Sequence, residues 1–92
     1  SLKEGKPVVA DGTPTIADGI AIKRPGELTL PIIRELVDEV VEVTEEEIAR
    51  AICHCVQNNH LVVEGAGAAG LAAVMAKKIP ISKKDTVCTV LC

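Results

Sequence analysis

Apolar residues recur at helical spacing in three segments of the chain, and the intervening segments are polar or uniformly apolar. The first predicted helix begins at Thr29, a plausible cap, with Pro31 in its first turn, where a missing amide costs little. Its apolar stripe comprises Ile32, Ile33, Leu36 and Val37. The preceding KRPGE segment, residues 23–27, favours a chain break because Pro and Gly stand together.

The second predicted helix starts with a capping box at Thr44–Glu47, in which the threonine oxygen accepts an amide and the glutamate reaches back. It runs to about Asn58. Its buried face comprises Ile48, Ala51, Ile52, Cys55 and Val56. A third helix opens at Gly65 with GAGAAGLAAVMAKK, whose small residues allow close approach to another backbone.

Three further segments favour strands or extended chain. Residues 38–43 are rich in valine, residues 61–63 predict a short strand or extended link, and residues 86–91 are almost entirely apolar. Residues 1–15 are expected to be an irregular lead-in, and residues 16–22 a short helical turn or a bend. The pattern predicts an α/β protein.

Composition limits the possible functions. The 92 residues suit one small domain or part of a larger one; 48% are hydrophobic, yet none is aromatic. The net charge of −3, without a basic stripe, argues against nucleic-acid binding. No apolar run reaches membrane-spanning length, and no signal peptide is recognisable. We therefore expect a cytoplasmic protein with reduced cysteines and no membrane partner.

The triplet Cys53-His54-Cys55 raises the question of a metal site. Residues 53 and 55 point in different directions on a helix, and no second ligand pair of suitable spacing exists. We predict no metal site, with Cys55 buried and Cys53 and His54 more exposed.

The glycines of LVVEGAGAAG, residues 61–70, have the Gly-x-Gly-x-x-Gly spacing of dinucleotide-binding proteins. The context fits poorly, because Glu64 would place negative charge beside a bound phosphate. Asp85 also precedes the next apolar run instead of following it. A nucleotide site is therefore kept only as a weak alternative.

A family resemblance covers nearly the whole chain. The segment TIADGIAIKRPGELTLPIIRELVDEVVEVTEEEIARAI, then LVVEGAGAAGLAAV and TVCTVLC, closely resembles the threonine dehydratases. These are pyridoxal-phosphate enzymes of the tryptophan-synthase β-subunit fold, related to serine dehydratase and serine racemase. The resemblance implies that residues 1–92 form the C-terminal half of the large, cofactor-binding domain. The implied fold class is α/β fold type II: a three-layer domain with a parallel-type sheet and flanking helices, present here incompletely.

The same resemblance assigns three cofactor-binding residues. Glu64 matches a glutamate beside the pyridoxal ring, Gly19 a glycine whose backbone runs close to that ring, and Cys92 a residue facing the pyridine nitrogen. The residues alone also allow a solvated or helix-capping Glu64, a turn glycine needing positive φ at Gly19, and a mere chain end at Cys92.

The family's cofactor-binding lysine lies in a Ser-Phe-Lys segment that these residues lack, as they lack the phosphate-binding glycine loop. We therefore expect a fragment that is catalytically silent alone. The resemblance implies a homo-oligomeric parent enzyme that uses pyridoxal phosphate for the α,β-elimination of threonine, or of serine, to a 2-oxo acid and ammonia. The alternatives are a self-associating assembly module and the nucleotide-binding domain.

Overall fold

The computed structural model describes residues 1–92, which form three α-helices joined by irregular segments. Helix α1 spans Thr29–Leu36, α2 spans Glu45–His54, and α3 spans Gly65–Met75. A single 3-10 turn at Asp18–Ile20 precedes them, and the chain leaves α2 through a π-helical turn at Cys55–Asn59. The three helices predicted from the sequence are confirmed, as is the short turn within residues 16–22.

Helix α2 begins with the predicted capping box. Thr44 accepts the Glu47 amide at 3.2 Å, and the Glu47 carboxylate accepts the Thr44 amide at 2.8 Å. Both amides would lack a partner within the helix, so the pair satisfies them reciprocally. After the π-helical turn, His60 has a left-handed φ of 55° and ends the helical segment.

The core lies between α2 and α3 and consists of small side chains. Its buried members are Ala17, Ile48, Ala51, Cys55, Val63, Ala68 and Ala72. Cys55 is the largest fully buried side chain, so the two helices approach closely without any large residue between them. The predicted face of α2 is confirmed at Ile48, Ala51 and Cys55, and Ile52 packs partly buried against the core. Val56 is instead exposed, because it lies at the edge of this face, beyond Ile52, which is itself only partly buried.

Helix α1 packs differently from the prediction. Leu30 is its buried residue, whereas Ile32, Leu36 and Val37 are exposed and only Ile33 is half-buried. The helix contacts neither α2 nor α3. The predicted apolar stripe is therefore present in sequence but is not covered within these 92 residues.

The predicted strands at 38–43 and 86–91 do not form. A strand needs a neighbouring backbone for its ladder, and neither segment makes any backbone hydrogen bond to another part of the chain. Residues 61–63 are a link, not a strand. The α/β sheet expected from the sequence is thus absent from the structure of these residues, which is helical.

The molecule is more open than a self-contained domain of this length. Its radius of gyration is 14.5 Å, against about 12 Å for a compact domain of equal size. Only 11 of 92 residues are buried, and Val62 and Leu28 are 95% and 85% exposed. Much of the apolar surface is therefore left uncovered. None of the helices has the length and apolar character needed to cross a bilayer.

Candidate functional site

The N-terminal end of α3 brings together Gly19, Glu64 and Cys92, the three residues that the family resemblance assigns to the cofactor. Glu64 immediately precedes the helix, and its amide donates to the Cys92 carbonyl at 3.0 Å. The Glu64 carbonyl in turn accepts the Ala68 amide at 3.0 Å. The backbone of Glu64 is thus fixed on one side by its own helix and on the other by the end of the 86–92 segment.

The Glu64 side chain is not used by its own helix. It makes no capping hydrogen bond, and the residue is exposed. Its Oε1 atom lies 3.5 Å from the point that a Cβ atom on Gly19 would occupy. Glu64 therefore does not cap the helix with its side chain, and its carboxylate borders Gly19.

Gly19 lies in the 3-10 turn, where Asp18 also lies. Its φ is not in the left-handed region, since Gly5 is the only glycine with positive φ. The reason for glycine is instead steric: a Cβ there would lie 3.1 Å from the Ala66 Cβ, tighter than ordinary contact. The absence of a side chain at Gly19 keeps open the space beside Glu64.

The backbone of Cys92 rests directly on α3. A Cβ on Gly67 would lie 2.7 Å from the Cys92 nitrogen and 2.8 Å from its carbonyl carbon, and closer still to its carbonyl oxygen. Only glycine allows this approach. Cys92 is exposed and forms no disulfide.

The three glycines at the start of α3 allow other segments of the chain to pack against the helix. A Cβ on Gly65 would lie 2.6 Å from the Ile16 carbonyl carbon, and one on Gly70 would collide with the Thr89 hydroxyl oxygen. Gly65, Gly67 and Gly70 therefore each accommodate another part of this chain. Their spacing is explained without a nucleotide phosphate.

Two glutamates at the start of α2 hold neighbouring segments, and both have a lowered pKa. The Ile16 amide, which donates at 2.9 Å, and then the Thr15 hydroxyl hold the pKa of Glu45 below its usual value. The Thr44 amide likewise lowers the pKa of Glu47. Burial opposes this lowering, and the Lys78 ammonium, 3.5 Å from the carboxylate, adds to it.

The contact of Glu45 with residues 15 and 16 was not predicted. In the sequence, Glu45 is recognisable only as a member of the capping segment, and its partners lie 29 and 30 residues away in the chain. No local pattern indicates such a pairing.

The cysteines follow the prediction: Cys55 is buried, and Cys53 and His54 are exposed. No three His, Cys, Asp or Glu side chains come together in a metal-binding arrangement.

The largest groove, of about 690 Å³, lies apart from Glu64. Twelve of its 17 lining residues are hydrophobic, among them Ile20, Ile48 and Val74, and none is Gly19, Glu64 or Cys92. It offers an uncovered packing surface and few reactive groups, so the end of α3 remains the candidate site.

Comparison with known proteins defines the class. The family described as "Pyridoxal-phosphate dependent enzyme" matches residues 1–92, the full length of the chain. The chain belongs to this family.

Individual relatives are more specific. The chain is 53% identical over 88 residues to the L-threonine ammonia-lyase of Geobacter sulfurreducens, a match that covers 96% of this chain and 22% of that protein. It is 51% identical over 77 residues to the L-threonine ammonia-lyase of Thermotoga maritima, covering 84% of this chain and 19% of the relative. The chain thus spans about a fifth of the length of the curated relatives it matches.

Solved structures agree with these matches. A threonine deaminase from T.th. superposes with a TM-score of 0.78 at 36% identity, covering 87% of this chain and 28% of that one. Maize serine racemase superposes with a TM-score of 0.75 at 38% identity, covering 85% of this chain and 24% of that one. The arrangement of α2, α3 and their connections is therefore that of a segment found in these enzymes.

Proposed function

We propose that this chain is part of a pyridoxal-phosphate-dependent threonine dehydratase, which converts threonine by α,β-elimination of its hydroxyl group to 2-oxobutanoate and ammonia. The observation that carries the proposal is the 53% identity to an L-threonine ammonia-lyase across 96% of the chain. Within that enzyme, residues 1–92 would be the C-terminal half of the large domain. Residues 86–91 and 38–43 would gain ladder partners there and complete a sheet of fold type II.

Gly19, Glu64 and Cys92 are proposed as the cofactor-side residues of this chain. Their convergence at one end of α3 supports this assignment, because they come from three separate parts of the sequence. The missing Cβ at Gly19 beside a carboxylate that its own helix does not use fits a flat ring lying against the backbone.

Bound pyridoxal phosphate supplies an electron sink for the negative charge that develops at the α-carbon of an amino acid. The residues of this chain would orient the ring and tune it. A thiol at Cys92 is a weak, neutral hydrogen-bond partner, so it would leave a ring nitrogen largely unprotonated. The Glu64 carboxylate, which borders Gly19, would lie at the edge of the ring.

The 92 residues alone are proposed to be catalytically silent, because they include no Ser-Phe-Lys segment and indeed no phenylalanine. The parent enzyme is proposed to be a cytoplasmic homo-oligomer.

A chimera tests the proposal. The 88 matching residues of the Geobacter sulfurreducens enzyme are replaced by those of this chain, and 2-oxo acid formation is measured with threonine and with serine. We expect turnover of threonine by the chimera and none by the separate 92-residue chain. A correctly folded chimera that binds the cofactor but turns over neither amino acid would contradict the proposal. Turnover of serine alone would correct the substrate.

A further inference from the structure

Residues 15–20, here called the strap, connect the beginning of α2 with the beginning of α3, where the candidate site lies. At the start of the strap, the Ile16 amide donates to Glu45 Oε2 at 2.9 Å and the Thr15 hydroxyl donates to Glu45 Oε1. The Thr15 oxygen also accepts the Ala17 amide at 3.1 Å. One carboxylate at the beginning of α2 therefore fixes the first three residues of the strap.

The strap then passes over the beginning of α3. The Ile16 carbonyl fills the place of a side chain at Gly65, and Ala17 is only 3% exposed in the core. The 3-10 turn follows at once, and its middle residue, Gly19, lies against Glu64 and Ala66. Only two residues separate Ile16 from Gly19, so a displacement of the Ile16 backbone would also displace Gly19.

We propose that Glu45 is a positioning residue for the candidate cofactor site: by holding Thr15 and Ile16 it keeps Gly19 against Glu64. Glu45 does not itself border the site and acts through the strap. This inference rests on the proposed function, because it assumes that Gly19 and Glu64 face the cofactor.

The next residue in α2 provides a matched control. Glu46 lies in the same helical turn, is exposed and carries the same charge near the helix N-terminus, but it pairs only with Arg50, four residues on. Any effect of Glu45 on the helix dipole is therefore shared by Glu46, whereas the contact with the strap belongs to Glu45 alone.

The first experiment measures amide hydrogen exchange in the folded chimera. Glu45→Ala removes both acceptors, so exchange at Ile16 and Ala17 should accelerate about threefold or more, with α3 unchanged. Glu46→Ala should leave these amides as they are. Equal exchange at Ile16 and Ala17 in the two variants would overturn the inference.

The second experiment measures cofactor binding by the chimera, using pyridoxal phosphate as the titrant and the visible absorption of the bound cofactor as the signal. Glu45→Ala should weaken binding about threefold to tenfold and alter the absorption spectrum, whereas Glu46→Ala should do neither. Glu45→Gln keeps one acceptor for the Ile16 amide and should restore most of the affinity. Adding Thr15→Val to Glu45→Ala should weaken binding further only by the loss of the hydrogen bond from the Ala17 amide to the Thr15 oxygen.

The outcomes separate the two proposals. If the chimera with no substitution binds pyridoxal phosphate, but Glu45→Ala and Glu46→Ala behave alike, the positioning role is wrong and the proposed function stands. If the folded chimera without substitution fails to bind the cofactor, the proposed function fails and the inference falls with it.

Discussion

Replacing Gly67 by alanine tests the close approach of residue 92 to α3. The added Cβ would lie 2.7 Å from the Cys92 nitrogen and 2.8 Å from its carbonyl carbon, so backbone must move. Overpacking of this kind costs about 1–3 kcal/mol. Displacing Cys92 would also break its hydrogen bond with the Glu64 amide, which contributes about 1 kcal/mol. Alanine gains about 1 kcal/mol of helix propensity over glycine.

The balance is a destabilisation of about 2 kcal/mol. Thermal and urea unfolding of the 92-residue chain, followed by circular dichroism, measure it. Gly70→Ala is the matched control, since its Cβ meets only the rotatable Thr89 hydroxyl, with the Thr89 Cβ at an ordinary 3.6 Å. That variant should be neutral or more stable by up to about 1 kcal/mol. If Gly67→Ala stabilises the chain as much as Gly70→Ala does, residue 92 does not rest on α3 as described.

Three further predictions concern the capping box, the acidic residues and the glycine beside Glu64. Thr44→Ala should destabilise the chain by about 1 kcal/mol in urea unfolding while Thr44→Ser stays near wild type, and equal loss in both would argue against the cap. Because folding lowers the pKa of Glu45 and Glu47 below the ordinary value of 4.5, the unfolded chain binds more protons between the lowered and ordinary values. The stability that the two carboxylates contribute should be fully present above pH 4.5 and should be lost as the pH falls through the lowered pKa values. Glu45→Gln should flatten that part of a plot of unfolding free energy against pH, and an unchanged plot would contradict the assignment. Gly19→Ala should weaken binding of pyridoxal phosphate by the chimera, and adding Ala66→Gly should restore part of it because the Cβ 3.1 Å away is removed; no rescue would mean that this contact does not limit the site.

The helices were predictable because their signals are local. The capping box at Thr44–Glu47 specifies the start of α2 within four residues, and the spacing of Ile48, Ala51 and Cys55 specifies its buried face. The π-helical turn at Cys55–Asn59 has no such signature. The width of the buried face is not a local property either, so the exposure of Val56 at its edge was missed.

The strands were not realised because strand formation depends on a neighbour. Residues 86–91 have the apolar composition of a covered strand, yet composition cannot supply the ladder partner that such a strand requires. The apolar stripe of α1 is similar: Leu36 is apolar in sequence and 71% exposed in the structure. In both places the sequence pattern anticipates contacts that these 92 residues do not make among themselves.

The candidate site was predictable only through the family resemblance. No periodicity or spacing connects Gly19, Glu64 and Cys92, which lie far apart in the chain. The structure adds the physical reasons for their proximity: the glycines of α3 admit the Ile16 and Cys92 backbones. The contact of Glu45 with the strap emerged only in three dimensions.

The most direct test of the account is a crystal structure of the chimera with pyridoxal phosphate bound. The quantity to measure is the distance from the cofactor ring to the backbone of Gly19, the Glu64 carboxylate and the Cys92 thiol. We predict that all three lie in contact with the ring, within about 4 Å. A ring bound elsewhere, with Glu64 in solvent and Gly19 and Cys92 out of contact, would contradict the proposed site.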